Sequence, residues 1–279
     1  MQLTQIDYTT KTASLDFAKS LKETGFAVIK NHPIDQQLIA DVFKEWEVFF
    51  TSDYKNNYLY NKETQDGLFP ITVSETAVGY DVRDIKEFFH FYPWGQYPSE
   101  LSGKTKELLT QLCQVAKQLL TWVEDSLPIE LKLTLSEPLT QMIENSNQTL
   151  LRILHYPPLT GNEEEGAVRA SAHADINLLT VLVAASQSGL QLQNANGDWI
   201  DVPADPGMLA INIGDGLQEA TKGFYKSTIH RVINPTCELI YKSRYSIPLF
   251  LHARPDVVLS KRYTAHEFLQ KRLIEIGLK

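Results

Sequence analysis

The sequence predicts an α+β protein with a mainly-β core, preceded by a helical N-terminal region and closed by a C-terminal helix. Three observations carry this. Ahead of Thr149 apolar residues recur largely at helical spacing; beyond it the period changes to short β-branched and aromatic runs. Those runs lie at 149–156, 168–174, 178–184, 189–193, 199–202, 208–213, 228–233 and 244–251, with Gly, Pro, Asn and Asp between them. Short strands at that spacing indicate a barrel or a two-sheet jelly roll. The end of the chain reads Thr264-Ala-His-Glu267, a capping box, before an apolar side of Phe268, Leu269, Leu273 and Ile276, with Gly277 as the stop. The expected division is 1–148, a helical region with short strands that packs on the core and is not independent, and 149–279, the core with its terminal helix.

Within the first region, 14–24 places Leu15, Ala18 and Leu21 on one helical face, and Gly25 ends that helix. Phe26-Ala-Val-Ile-Lys30 is a short strand. Asp35 is a candidate cap for a helix carrying Leu38, Ile39, Val42, Phe43, Trp46 and Phe49. Residues 51–68 are polar and tyrosine-rich and read as loop. The aromatic run Phe88-Phe-His-Phe-Tyr-Pro-Trp94 is either core or the wall of a substrate pocket. From Ser99 to about Leu127, Leu101, Leu108, Leu112, Val115, Leu119 and Val123 fit a long helix that Pro128 stops. Ser136 is a candidate cap for a shorter helix through Met142.

Composition narrows the function. At 279 residues the chain can bury a sizeable core in one large domain or two small ones. A formal net charge of −8 argues against non-specific binding to nucleic acid, which needs a basic surface. The two cysteines, Cys113 and Cys237, lack metal-type spacing and read as free thiols of a reducing compartment. No signal peptide and no apolar stretch of membrane-spanning length is evident, so the expected location is cytoplasmic. Glu163-Glu-Glu165 is most simply a solvated loop.

The residues that carry chemistry cluster in the core. His173 and Asp175 stand two apart in Ser171-Ala-His-Ala-Asp175, so on an extended chain both leave one face. A neutral imidazole and a carboxylate there can bind one divalent metal. His230, in the β-branched run Ser227-Thr-Ile-His-Arg-Val-Ile233, is the natural third ligand of a two-His-one-carboxylate facial set, the donor arrangement suited to non-haem iron(II). Arg244-Tyr-Ser246 is a second i, i+2 pair. Taken singly, a His on a strand is more often a hydrogen-bonded core or surface residue, and an Arg a surface ion pair of little worth. The order His-x-Asp, His, Arg-x-Ser raises the metal reading above those.

Taken together these segments resemble the iron(II)- and 2-oxoglutarate-dependent oxygenases of the isopenicillin N synthase-like branch, over nearly the whole chain. Gly25-Phe-Ala-Val-Ile-Lys-Asn-His-Pro-Ile34 resembles the family's Gly-Phe…Asn-His-Gly segment, with Pro33 where Gly is usual. Lys86-Glu-Phe-Phe-His-Phe91, Leu151-Arg-Ile-Leu-His-Tyr-Pro-Pro158, Gly189-Leu-Gln191, Asn212-Ile-Gly-Asp215 and Arg244-Tyr-Ser-Ile-Pro248 complete the match, in order. The resemblance implies a double-stranded β-helix, iron ligands His173, Asp175 and His230, and contacts from Arg244, Ser246 and Tyr156 to the distal carboxylate of 2-oxoglutarate. An Arg fork and a Ser hydroxyl match a carboxylate well; for Tyr156 the alternative is a core aromatic. It further implies O2 as oxidant, ascorbate as reductant, and oxidation of a small organic substrate. Thr221-Lys-Gly223 departs from the usual Thr-Asn-Gly, and Lys is a poorer left-handed turn residue. Asn212 and Asp215 read as turn and supporting structure, not ligands.

Two other functions stay open at this level. One is a relative that uses Arg-x-Ser for its substrate's own carboxylate without 2-oxoglutarate; the other is a jelly-roll sensor that binds without turnover. The acidic balance counts against a nucleic-acid demethylase. Pocket walls are expected from residues 85–94, from Leu151-Arg-Ile-Leu154 and from Phe250. Arg83 and Lys86 read as solvent-exposed, with a substrate acid as the alternative partner.

Overall fold

The computed structural model describes residues 3–73, 82–184, 186–203 and 205–275. The chain opens with β1 (Gln5–Asp7), helix α1 (Ala13–Thr24), β2 (Phe26–Lys30) and helix α2 (Gln36–Thr51). Gly25 ends α1 in the left-handed region, φ +72°, its N–H bonded to the Leu21 carbonyl. The buried stripe of α1 is Ala13, Phe17 and Leu21 at i, i+4 spacing, while Leu15 is 67% exposed. Of the predicted face, Ala18 and Leu21 are buried and only Leu15 is not; the larger Phe17 side chain fills the inward position instead. Asp35 caps α2, accepting from the N–H groups of Gln37 and Leu38. Its predicted apolar face is buried except for Phe43, which is half-buried.

Residues 51–68 are not all loop. They hold a 3-10 turn (Asp53–Tyr58) and the start of β3 (Gly67–Phe69), which pairs with β4 (Glu87–Phe91). Helix α3 (Lys104–Asp125) buries the predicted leucines and valines, though Leu101 precedes it. After α4 (Ile129–Lys132), α5 (Leu139–Met142) starts at Pro138, whose φ of −54° is pre-set for a helix; Ser136 does not cap it.

The core strands follow: β5 (Leu150–Tyr156), β6 (Ala170–His173), β7 (Leu179–Val183), β8 (Leu190–Gln193), β9 (Trp199–Asp201) and β10 (Leu209–Ile213). Then come α6 (Asp215–Ala220), β11 (His230–Val232), β12 (Arg244–Leu251) and α7 (Ala265–Glu275). Each of the predicted β-runs contains one strand. The capping box holds: the Glu267 N–H donates to Thr264 Oγ1 at 3.2 Å, and the Thr264 N–H to Glu267 Oε2 at 2.8 Å. Ile276 and Gly277 lie outside the described residues.

The strands form two sheets of a jelly roll, ordered β1-β2-β10-β7-β12-β5-β4-β3 and β6-β11-β8-β9. Strand pairing is antiparallel except between β1 and β2. The larger sheet has two buried faces, and the period-2 alternation separates them. Ala27, Ile29, Leu151, Ile153, Ile247 and Leu249 pack with the helices around Trp46 and Leu112. Phe26, Val28, Leu154 and Tyr156 point the other way, toward Leu190, Leu192 and Val232 of the smaller sheet. The functional side chains lie in that space between the sheets. No helix among the described residues is long and apolar enough to cross a membrane.

Candidate active site

Three side chains converge at one end of the inter-sheet space. His173 and His230 are paired in register between β6 and β11, their ring centroids 4.4 Å apart. The Nε2 atoms of both stand 3.8 Å from Asp175 Oδ1, and the three donor atoms lie within 4.8 Å of one another. Asp175 is not on the strand as predicted, because β6 ends at His173. A side-chain clamp directs it instead. Thr180 on β7 and Asn212 on β10 are opposite each other in register, and both donate to Asp175 Oδ2, at 2.5 and 2.8 Å. Oδ1 is left facing the histidines. Each imidazole is oriented too: His173 Nδ1–H donates to the Ser171 carbonyl at 2.7 Å and His230 Nδ1–H to the Thr228 carbonyl at 3.1 Å. Both Nε2 lone pairs are thereby turned toward Asp175.

The charges agree with a cation site. Burial, reinforced by His230, pushes His173 down to about 4, so the ring is neutral at physiological pH. Burial alone would raise the Asp175 carboxyl; His230, His173 and the Asn212 and Thr180 bonds outweigh it and hold it below its ordinary value. Two imidazole Nε2 atoms and Asp175 Oδ1, none of them hydrogen-bonded among the described residues, fit a divalent first-row metal such as iron(II).

The other end of the cavity holds a buried cation. Arg244 opens β12 directly opposite Tyr156 on β5, and its guanidinium lies 5.0 Å from that ring centroid. It is 2% exposed, which rules out the surface ion pair. Its Nε donates to the Gln187 carbonyl at 3.1 Å, and its buried Nη1 has no partner. Ser246 shares its face of the strand and is also buried. Beneath Tyr156 lies a second guanidinium. Arg169 is fully buried, bonded to Gln187 Oε1 and to the Lys242 carbonyl, both at 3.1 Å, with its Nε unpartnered. Burial, then the proximity of Arg244, push Arg169 down to about 10. Among the described residues no carboxylate pairs with either arginine. Buried cations without an acid are costly to keep, and a ligand carboxylate is the group that satisfies them.

The comparisons with known proteins agree with this chemistry. A family model described as the 2OG-Fe(II) oxygenase superfamily matches residues 147–253. A second, described as the N-terminal part of non-haem dioxygenases in morphine synthesis, matches residues 5–113. A crystal structure from Shewanella oneidensis, assigned as an oxygenase, is 50% identical over 100% of both chains, with a TM-score of 0.91. The chain belongs to the 2OG-Fe(II) oxygenase superfamily. A Caulobacter crescentus structure assigned to the same oxygenase family is 28% identical over 99% of both chains, with a TM-score of 0.80. A 2-oxoglutarate-dependent dioxygenase, frbJ, of a Dothideomycetidae species is 28% identical over 86% of this chain and 70% of its own length. As a member of this superfamily the protein is a dioxygenase that uses iron(II), 2-oxoglutarate and O2.

Several features of this oxygenase explain motifs that were only matched in the sequence. A Cβ on Gly25 would lie 2.1 Å from Thr228 Oγ1, so Gly lets α1 end directly against the segment leading to His230. Phe26 then packs its ring edge-on to His230, centroids 5.5 Å apart. Gly214 has an ordinary φ, but its Cβ would lie 2.1 Å from the Asn177 carbonyl oxygen. That contact lets the Asp215 N–H reach the Asp175 carbonyl at 2.7 Å. Lys222 adopts φ +52°, the left-handed turn for which Asn is better suited.

Sequence reading missed Arg169 and Gln187; Asn212 supports the site rather than ligating, as expected, but does so from a strand and not a turn. Arg169 carried a usable signal: a charged residue within a strand-like run, four before His173, which calls for a buried partner. Lys86 corrects another expectation. It is 5% exposed and lines the cavity, whereas Arg83 is exposed and bonds the Thr72 carbonyl. The expected walls Leu154 and Phe250 line the cavity as well.

Proposed function

We propose that His173, Asp175 and His230 hold iron(II), that Arg244, Ser246 and Tyr156 hold the distal carboxylate of 2-oxoglutarate, and that the enzyme hydroxylates a small organic substrate, releasing succinate and CO2. One observation carries the reading: a facial donor set and a buried guanidinium with an unpartnered Nη1 share one cavity. When bound, iron and 2-oxoglutarate supply the oxidising power toward O2 and substrate. The chain supplies orientation. Thr180 and Asn212 keep Asp175 Oδ1 aimed at the metal position. The Ser171 and Thr228 carbonyls fix the imidazole tautomers. Arg244 would fix one end of the cosubstrate, and Leu154, Leu182 and Val232 keep water from it.

Further readings follow from the same features. The net charge of −8 favours a small-molecule substrate over nucleic acid. The unpaired thiols Cys113 and Cys237 favour the cytoplasm. We read 1–148 as a region that packs on the 149–279 core without folding alone, since β2 and β4 pair with the core strands β10 and β5.

The test is succinate formation by purified protein with iron(II), ascorbate, O2 and 2-oxoglutarate, across a panel of candidate substrates. Oxygen-dependent succinate release that Asp175→Ala abolishes is the expected result. Full activity in Asp175→Ala, with iron content verified, overturns the ligand assignment.

A further inference from the structure

Arg169 stands behind the Arg244 end of the cavity, fully buried, without lining it. Tyr156 separates the two cations. Its ring centroid is 5.9 Å from the Arg169 guanidinium carbon and 5.0 Å from that of Arg244. The two charges are therefore at most about 11 Å apart, across an aromatic ring and away from water, a range over which a unit charge is still felt.

Gln187, in the connection between β7 and β8, ties them together. Its backbone carbonyl accepts from Arg244 Nε at 3.1 Å, and its side-chain Oε1 accepts from Arg169 Nη1 at 3.1 Å. Its Nε2 donates to the carbonyl of Ser243, the residue before Arg244, at 2.8 Å. The neighbouring position pins this connection to β12: the Ser186 N–H donates to the Tyr245 carbonyl and the Tyr245 N–H to Ser186 Oγ, at 3.2 and 3.1 Å. Arg169 Nη2 completes the set on the Lys242 carbonyl at 3.1 Å. Each of these acceptors is neutral.

A cation held only by neutral acceptors, beside a like charge, destabilises the ligand-free protein. Burial and the neighbouring Arg244 push Arg169 down to about 10, which still leaves it charged at physiological pH. Its buried Nε has no partner, nor has the buried Nη1 of Arg244. An anion at Arg244 relieves the repulsion between the two guanidiniums, and a neutral group of the same shape does not. The second charge therefore acts against uncharged ligands as much as it acts for charged ones.

We infer that Arg169 is a positioning residue that makes the Arg244 end select for charge: among 2-oxo acids able to reach the metal position, it favours those with a full negative charge on the distal carbon over neutral ones of similar length. Gln187 couples it to the Arg244 fork, and Tyr156 keeps it out of contact with the ligand. The inference rests on the proposed assignment of Arg244 to 2-oxoglutarate.

The experiment is anaerobic calorimetry on the full chain loaded with iron(II), titrated with 2-oxoglutarate and with its 5-methyl ester, which keeps the 2-oxo acid and loses the distal charge. The quantity read is the ratio of the two dissociation constants. A unit charge at this range inside a protein changes affinity about tenfold, so Arg169→Met is expected to lower the ratio by about that factor. Gln187→Glu, which gives Arg169 a counter-charge and keeps both arginines, is expected to lower it too, and it decides the matter where Arg169→Met does not fold. Arg169→Lys, which keeps the charge without the fork, retains most of the ratio. A ratio left unchanged by these charge-removing variants, or both ligands weakened by the same factor, shows a structural brace and overturns the inference. A loss in Arg169→Lys as complete as in Arg169→Met overturns it as well, because the fork and not the charge then decides. Unchanged 2-oxoglutarate binding in Arg244→Ala, measured in the same cell, removes the cosubstrate assignment itself and is thereby told apart from those results.

Discussion

The two ends of this cavity solve opposite problems. At the metal end the atoms not needed for coordination already have partners within the chain: Nδ1 of each imidazole meets a carbonyl, and Asp175 Oδ2 meets Thr180 and Asn212. At the Arg244 end two buried guanidiniums stand near each other with unpartnered nitrogens and no acid among the described residues. The first end is built before its ligand arrives; the second is complete only when an anion binds. Removing support from the first should therefore loosen a ligand, while removing charge from the second should relieve the empty protein.

The largest effect expected on that contrast comes from the clamp. Thr180→Val combined with Asn212→Ala frees Asp175 Oδ2 and should weaken iron(II) binding roughly 10–100-fold, measured by competition with a metallochromic chelator. Unchanged iron affinity would mean that Asp175 orients itself. At the other end, Arg244→Met should make the ligand-free protein more stable by about 1–2 kcal/mol, because a desolvated cation is replaced by a side chain that packs. Denaturant unfolding without ligand measures this, and a less stable variant would show that the guanidinium is satisfied within the chain. The smallest effect is pH dependence, and it comes from His173 at the metal end and from His252, which follows β12 outside the cavity. His173 and His252 are pushed down to about 4, mainly by burial. The unfolded chain therefore binds more protons than the folded one between about pH 6.5 and 4. Stability of the metal-free protein should fall as pH drops through that window, and fall further below it as Asp175, held below its ordinary value, takes up a proton. Removing His173 by His173→Gln should flatten part of the slope, whereas Arg244→Met should leave it unchanged, because a guanidinium does not titrate there.

The same contrast explains what the sequence made legible. The strands of the core were readable because each short run is bounded by turn residues, and the period alone assigns their faces. The metal set was readable because its residue types are few and chemically particular. Asp175 was placed on a strand because i, i+2 spacing mimics one; the clamp that actually aims it comes from β7 and β10, more than thirty residues apart in the case of Asn212. Arg169 and Lys86 were missed or misplaced for a related reason. A cation in an apolar run looks like a surface residue until the fold removes its solvent, and their neighbours Gln187 and Asp84 show no local pattern. The exposed Leu15 and the short β3 reflect weaker signals: three or four residues do not establish a period against a larger neighbour or a polar background.

The central claim is that Arg244 receives the 2-oxoglutarate carboxylate while the His173, Asp175 and His230 centre receives its other end through iron(II). The most direct measurement is anaerobic titration of iron(II)-loaded protein with 2-oxoglutarate, following the weak visible charge-transfer band, in wild type and Arg244→Ala. The account predicts a saturable band in wild type and a dissociation constant raised about 100-fold in the variant, the loss of a charge-assisted carboxylate contact. An equal dissociation constant in both proteins, or no band in wild type with iron bound, would contradict it.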